Sequence, residues 1–100
     1  MLRDIFQGFV KLHILYHAAH APVFGLELID ELGRHGYRLS PGTLYPLLHS
    51  MEKEGYLVCE NRIVNGKVRK YYTSTEKGVQ LLEEGTHKAH ELMDEITPKE

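Results

Sequence analysis

Apolar residues recur at helical spacing in four segments of the chain and alternate with polar residues in a stretch between the third and fourth segments. The first segment predicts a helix over 2–19 that is apolar nearly all round, which indicates that it is covered on more than one side. The sequence His20-Ala21-Pro22 ends it, because a proline disfavours helical geometry in the residue before it. The second segment predicts a shorter helix over 25–35 with a solvated outer face, ended by Gly36.

The third segment, from Ser40 to Tyr56, carries the clearest helix signals in the chain. Ser40 is a favourable N-cap, and Pro41 falls at the first helical position, where its missing N–H costs nothing. Gly55 supplies the left-handed residue that commonly ends a helix. The buried side of this predicted helix is a stripe at i, i+3, i+4 and i+7. The stripe consists of Leu44, Leu47, Leu48 and Met51.

The opposite face of this helix holds small, polar and aromatic residues, with few of the Glu/Lys pairs that merely solvate a helix. Its members are Gly42, Thr43, Tyr45, Pro46, His49, Ser50 and Lys53. Pro46 costs about 3 kcal/mol if the helix begins at Pro41, because it removes a backbone hydrogen bond to Gly42. A later start, with Thr43 as the N-cap, would place Pro46 in the first turn, where no bond is lost. The face is therefore either a functional surface or a helix start that happens to contain a proline.

Two strands, over 56–64 and 67–73, are predicted around Asn65-Gly66, the strongest short signal for a β-hairpin. A two-residue turn fixes the register and places Arg62 directly opposite Arg69, an unfavourable pair on an isolated hairpin. A polyanion lying across this face would reverse the repulsion, and we favour that hypothesis over an edge that uses charge only to prevent aggregation. The face predicted to pack inward carries Leu57, Cys59, Ile63, Val68 and Tyr72, and the outer face carries Glu60, Arg62, Lys67, Arg69 and Tyr71.

The fourth segment predicts a helix over 76–95 that is capped by Thr75 and continues past the rest of the domain. Its apolar residues are spaced like a coiled-coil seam, and nothing left in the chain covers them, so they predict a homodimer. The order of elements predicts a mainly α fold with a β-hairpin wing (α+β), a winged helix-turn-helix. Residues 1–74 would form the DNA-binding domain, and residues 75–100 a dimerisation helix packed with the first helix in one structural unit.

Length, charge and cysteine content narrow the functional classes. A chain of 100 residues forms one domain, and its formal net charge of −2 gives no bulk argument for nucleic-acid binding. Cys59 is the single cysteine, which excludes an intrachain disulfide and fits a reducing compartment. Without a signal peptide or a membrane-spanning run, we expect a cytoplasmic protein with no membrane partner. No nucleophile–base pair or phosphate loop is found, so the sequence predicts neither an enzyme nor a cofactor.

Three segments, FGLELIDEL, LSPGTLYPLLHSMEKEGYL and RKYYTSTEKG, resemble the PadR family of bacterial transcriptional regulators. The resemblance covers essentially the whole chain, and its middle segment is the most specific. It implies that Ser40 to Glu54 is a recognition helix, that Glu60 to Tyr72 is a wing and that the first and last helices build a dimer. Members of the family often have a tyrosine at the position of Leu26 and a leucine at the position of Ser74, so the chain departs from the family at both. The absence of tryptophan distinguishes this chain from small members of the family that stack flat aromatic effectors against one.

The pattern and the resemblance together predict a sequence-specific regulator that binds double-stranded DNA. We expect a homodimeric repressor on a pseudo-palindromic operator, released by a small hydrophobic effector at the dimer interface. The candidate DNA contacts are Ser40, Gly42, Thr43, Tyr45, Pro46, His49 and Lys53 on the helix, and Arg62, Lys67, Arg69, Lys70 and Tyr71 on the wing. The candidate dimer contacts are Phe6, Phe9, Val10, Val79, Leu82, Ala89, Leu92, Met93 and Ile96.

Two alternatives stand beside this interpretation. A winged helix can bind a protein with the same helix face, although such a protein has no need of clustered positive charge on its wing. A metal-responsive regulator could use histidines at a dimer interface, with Glu83 or Glu91 as an oxygen ligand. Its candidate histidines would be His13, His17, His20, His87 and His90. Spacing on one helix is weak evidence for a metal site, so we favour solvated or interfacial histidines and predict no metal.

Overall fold

The computed structural model describes residues 1–99, which form four helices and three strands. In chain order these are α1 (Leu2–His20), β1 (Val23–Phe24), α2 (Gly25–Arg34), α3 (Pro41–Lys53), β2 (Leu57–Val64), β3 (Lys67–Ser74) and α4 (Glu76–Ile96). Every predicted helix and both predicted strands are present, with ends within one residue of those expected. The predicted winged helix-turn-helix is therefore confirmed, and β1 is an element that the sequence analysis missed.

The hydrophobic core lies where α1, α2 and α3 meet the base of the sheet. It consists of Val10, Ile14, Leu15, Ala18, Leu28, Leu32, Leu44, Leu47, Leu48, Met51, Leu57 and Tyr72. All four residues of the stripe predicted on α3 belong to it. Val10, which was expected at a dimer interface, is only 3% exposed in a single chain and packs in this core. A side chain with almost no accessible surface can contribute little to a partner, so the burial of Val10 weighs against its predicted place at a dimer interface.

The sheet has the strand order β1-β3-β2, with both pairs antiparallel. The predicted hairpin register is confirmed, since Val64 pairs with Lys67 and Arg62 pairs with Arg69. The turn between β2 and β3 needs two left-handed residues, and Asn65 and Gly66 supply them with φ values of 52° and 78°.

The prediction that the whole inner face of the hairpin packs was wrong for Ile63 and Val68. Ile63 is 78% exposed and Val68 is 66% exposed, whereas Leu57 and Tyr72 are buried. The alternation of side chains continues to the tip of the hairpin, but the tip extends beyond the helices that could cover it. Only the base of the hairpin belongs to the core, and its outer half is a free wing.

Helix α3 begins at Pro41, so Pro46 lies inside the helix and not in its first turn. The residue four positions before Pro46 is Gly42, whose carbonyl therefore loses its usual N–H donor. Ser40 occupies the N-cap position as predicted, but its side chain does not cap the helix. Its hydroxyl instead donates to Oγ1 of Thr43 over 3.3 Å.

The start of α4 is fixed to the end of α3. Thr75 is the N-cap of α4: its Oγ1 accepts from the N–H of Gly78 at 3.0 Å and donates to the carbonyl of Gly55 at 2.6 Å. Lys77 donates to the carbonyl of Glu54, one residue past α3, over 2.8 Å. Farther along, α4 packs against α1, where Gly85 lies against Leu12. A rotation of α4 at its base would thus be transmitted directly to α3.

Candidate nucleic-acid interface

The outward face of α3 is open to solvent along its full length. The predicted contacts on this helix are all exposed, namely Ser40, Gly42, Thr43, Tyr45, Pro46, His49 and Lys53. Because the apolar stripe of α3 is buried in the core, this orientation is fixed by the fold. The helix therefore presents one continuous surface that is uncharged over most of its length and has Lys53, flanked by Glu52 and Glu54, at its C-terminal end.

Tyr45 is held in place by the first residue of α2. A side-chain carbon added at Gly25 would overlap the hydroxyl and ring of Tyr45, so the phenol lies directly against the Gly25 backbone. Tyr45 nonetheless remains 38% exposed. The two helices of the helix-turn-helix are thus in contact through an aromatic ring that also faces solvent.

The opposed arginines of the wing are stabilised by different aromatic rings. The guanidinium of Arg62 lies 4.6 Å from the centre of the Tyr71 ring, and its Nε donates to Glu60 at 2.9 Å. The guanidinium of Arg69 lies 4.3 Å from the centre of the Phe24 ring. These cation–π contacts separate the two charges, so their opposition alone no longer argues for a bound polyanion.

A groove of about 400 Å³ separates α3 from the wing. It is lined by Phe24, Leu26, Tyr45, Val68, Arg69 and Lys70. Leu26 and Val68 are largely exposed here. Phe24, Leu26 and Val68 were not predicted as site residues, because only pairing of β1 with β3 brings Phe24 and the start of α2 beside the wing.

Several cations around this groove have no acidic partner in residues 1–99. Salt bridges of the described chain involve Arg34 and Arg62 but not Lys53, Lys67, Arg69 or Lys70. Of these four unpaired cations, Lys53 lies at the end of α3, and Lys67, Arg69 and Lys70 lie on the wing. Their charge is available for an anionic partner, although the chain as a whole carries a net charge of −2.

Comparison with known proteins identifies the family. The sequence profile described as the transcriptional regulator PadR-like family matches residues 14–84. The transcriptional regulator Rv3488 of Mycobacterium tuberculosis is 47% identical over 95 residues, which are 95% of this chain and 89% of that protein. The chain belongs to the PadR-like family of transcriptional regulators. The resemblance stated from the sequence is thereby confirmed, and the chain is a regulator and not an enzyme.

Solved structures of PadR proteins agree with the fold of this PadR-like regulator. A PadR family regulator from Eggerthella lenta aligns with a TM-score of 0.82 at 31% identity, covering 96% of this chain and 85% of that one. A PadR-like regulator from Bacillus cereus aligns with a TM-score of 0.74 at 30% identity, covering 99% and 98% of the two chains. Within residues 1–99, no helix is long and apolar enough to cross a membrane.

A cavity of about 370 Å³ lies between α1 and the connector that leads to α3. Phe6, Val10 and Leu47 give it apolar walls, and the centre of the Tyr37 ring lies 6.1 Å from that of the Phe6 ring. Thr43, on the outward side of α3, also reaches this cavity. The cavity therefore contacts both the helix expected to form a dimer and the helix expected to contact DNA.

The histidines of this PadR-like regulator group differently from the sequence prediction. His13 and His17 on α1 lie beside His35, which was not among the candidates, at the end of α2. Burial lowers the pKa of His13, and the neighbouring His35 and His17 lower it further. His20 instead bonds through Nδ1 to the carbonyl of Tyr16 at 2.7 Å. The signal that identifies His35 is its position at the helix end that faces α1, which requires the packing of the two helices.

Tyr72 should make the stability of the protein fall at alkaline pH. Burial, reinforced by Cys59 beside it, raises the pKa of Tyr72 to about 12 from an ordinary value of 10.0. The folded chain therefore keeps this proton after the unfolded chain has lost it. The free energy of unfolding should be unaffected below pH 10 and should fall by about 1.4 kcal/mol per pH unit between 10 and 12.

Urea unfolding on both sides of pH 10, compared with Tyr72→Phe, measures this contribution. A near-ultraviolet titration of phenolate absorbance should also show a component near pH 12 that Tyr72→Phe lacks. The assignment fails if the variant keeps that component, or if both proteins lose stability equally with rising pH.

Proposed function

We propose that this PadR-like regulator binds a pseudo-palindromic DNA operator as a homodimer and represses transcription by occupying it. The observation that carries the proposal is the exposed face of α3 beside a wing on which Lys67, Arg69 and Lys70 have no acidic partner within residues 1–99. An α-helix fits the major groove of B-DNA, and cations beside it can neutralise phosphates. The geometry supports both kinds of contact on one side of the chain.

Helix α3 would lie in the major groove with its outward face toward the base edges. Gly42 and Pro46 carry no long side chain, so they allow the backbone to approach closely. Thr43, Tyr45 and His49 would then offer hydrogen bonds or contacts with thymine methyl groups. Ser40 and the start of α3 are suited to a phosphate, since a helix N-terminus favours an anion.

The wing would contact the DNA backbone next to the groove occupied by α3. Arg69 and Lys70 line the groove, where Arg69 is held against Phe24, and Lys67 is exposed at the start of β3. Lys53 at the end of α3 would contact a phosphate on the other strand of the same half-site. Phosphate contacts of this kind position the protein without reading sequence.

The dimer would be formed by the uncovered apolar surfaces of α1 and α4. Phe6 and Phe9 on α1 remain 47% and 41% exposed in a single chain. Leu92, Met93 and Ile96 remain exposed on α4, while Val79, Leu82 and Ala89 are half-buried. A two-fold dimer would read half-sites about one helical turn apart.

An apolar effector would act through the cavity between α1 and the connector. Its volume of about 370 Å³ suits a small molecule, and its walls include residues from the proposed dimer helix and from α3. A molecule bound there would change the separation of the two recognition helices and so release the operator.

Salt titration of binding to DNA upstream of the gene tests the proposal. Affinity should fall steeply with salt, because each neutralised phosphate contributes about 0.9 to the logarithmic slope. The double variant Lys67→Ala, Lys70→Ala should reduce that slope by about 2 and weaken binding to all sequences alike.

The matched control is Lys88→Ala, Lys99→Ala, which removes the same charge from α4 and the C-terminal segment. It should leave the slope almost unchanged. Binding that does not depend on salt, or equal losses in the two double variants, would refute the proposed interface.

A further inference from the structure

Three imidazoles from two helices converge on one point of the chain. His13 and His17 are one turn apart on α1, and His35 is the residue at the C-terminal end of α2. Each offers a ring nitrogen, and these three atoms all lie within 4.8 Å of one another. We propose that this cluster binds one divalent transition-metal ion of the zinc type.

The donor set fits such an ion. Imidazole nitrogens suit Zn²⁺, Co²⁺, Ni²⁺ and Cu²⁺, and three histidines with one open position is an established tetrahedral arrangement. Nitrogens held about 2.1 Å from a tetrahedral ion lie about 3.4 Å apart, so the cluster must contract slightly. His35 is exposed at a helix end and can move, while His13 and His17 are half-buried and already point to the same side.

A carboxylate supplies negative charge beside the three neutral ligands. Oε2 of Glu31 lies 3.8 Å from Nε2 of His17. The other oxygen of Glu31 accepts from Nη1 of Arg34 at 2.8 Å, which fixes the orientation of the carboxylate. Carboxylates next to a ligating histidine orient its ring and increase its basicity. At 3.8 Å the Glu31–His17 contact is not a hydrogen bond, so Glu31 would become a positioning residue for His17 only when the pair closes on metal binding.

The stacking of His13 on His35 would give way to coordination. The two ring centres are 4.4 Å apart with planes 25° from parallel. Rotation of either ring about its side-chain bonds would separate the rings and turn a nitrogen toward the shared point. The contact between α1 and the end of α2 would then be made by the ion as well as by the core.

The location also gives the ion a route to the recognition helix, an inference that rests on the proposed function. His35 precedes the short connector of residues 36–40 that leads into α3. An ion joining His35 to α1 would restrain that connector relative to the proposed dimer helix. Metal binding is measured on the protein alone, so its failure is distinguishable from a failure to bind DNA.

The test uses the untagged full chain, treated with a chelator and then titrated with Co²⁺ alone. We expect one ion per chain and the visible absorption bands of tetrahedral Co²⁺, removed by adding Zn²⁺. His35→Asn should weaken binding at least about tenfold and abolish the bands, since even outer partners of a ligand are worth that much. His35 is exposed, so this variant should fold, and circular dichroism checks that it does.

The double variant His87→Asn, His90→Asn is the matched control, because it removes two exposed histidines of α4. It should bind Co²⁺ as the unchanged chain does. A chain that binds no ion, an ion retained fully by His35→Asn, or an ion lost in the α4 variant would each overturn the proposed site. Glu31→Gln should still bind one Co²⁺ per chain, but more weakly. If this variant binds Co²⁺ as tightly as the unchanged chain does, Glu31 has no part in the site.

Discussion

Replacing Gly78 with alanine is expected to lower the free energy of unfolding by about 2 to 3 kcal/mol, the upper part of the range of about 1 to 3 kcal/mol that is typical of overpacking. Helix propensity alone predicts the opposite sign, a gain of about 1 kcal/mol inside a helix. The reason is that a Cβ at Gly78 would overlap the carbonyl oxygen of Tyr56 and Oγ of Ser74. It would also lie 3.2 Å from a methyl group of Leu15 in the core.

The Tyr56 carbonyl cannot move aside easily, because it accepts a hydrogen bond from the N–H of Thr75 at 3.0 Å. The start of α4 would have to separate from the start of β2, and the Thr75 cap would be disturbed with it. Urea unfolding at a fixed protein concentration measures the loss of stability, since the proposed association would also contribute to stability.

Gly33→Ala is the matched control, because no other atom lies within 4 Å of the position that its Cβ would occupy. It should leave stability unchanged or raise it by up to about 1 kcal/mol. If Gly78→Ala were as stable as Gly33→Ala, the close packing of α4 on the Tyr56 backbone would be wrong.

The second large effect expected is on association, where Leu92→Glu should convert the proposed dimer into a monomer. Leu92 is 47% exposed in a single chain and lies one turn before Ile96, next to Met93, in the uncovered part of α4. A carboxylate there would lie in the apolar contact of both chains without a compensating partner. Light scattering after size exclusion should show the mass fall by half.

Gln80→Glu introduces the same carboxylate at an exposed position on the opposite side of α4, outside the apolar seam, and should keep the mass of the proposed dimer. Circular dichroism should show that both variants retain their helices, because Leu92 makes no part of the core. A dimer that survives Leu92→Glu, or an unchanged chain that is monomeric, would refute the proposed use of α4.

The helices and the hairpin could be predicted from local signals. Gly36 and Gly55 are left-handed, with φ values of 89° and 88°, as expected of residues that end α2 and α3. The two-residue turn fixed the register of β2 and β3 because it leaves no freedom in pairing. Such signals depend on a few neighbouring residues, so they can be interpreted without knowledge of the tertiary structure.

The sequence analysis erred at positions whose burial or pairing depends on how the helices and the sheet pack together. Helix α1 is apolar nearly all round, so its periodicity could not assign Val10 to the core and Phe9 to the surface. The alternation of apolar and polar residues showed which face of the hairpin carries Ile63 and Val68. It did not show how much of that face the helices cover. Strand β1 has two residues, which is too short to show any period.

The candidate site was predicted in its parts but not in its contacts. The outward face of α3 followed from its stripe, whereas the rings beneath Arg62 and Arg69 depend on β1 pairing with β3. The grouping of His35 with α1 likewise depends on contacts between residues far apart in the chain. Spacing along one helix shows only which side chains share a face of that helix.

The contact between Gly25 and Tyr45 has a thermodynamic consequence for recognition. A phenol resting on bare backbone is restrained before any partner arrives, although part of it remains accessible. Ordering a mobile side chain on binding costs about 0.5 to 1.5 kcal/mol. Because Tyr45 is restrained in the free chain, less of this ordering cost would be subtracted from the affinity of a contact that it makes.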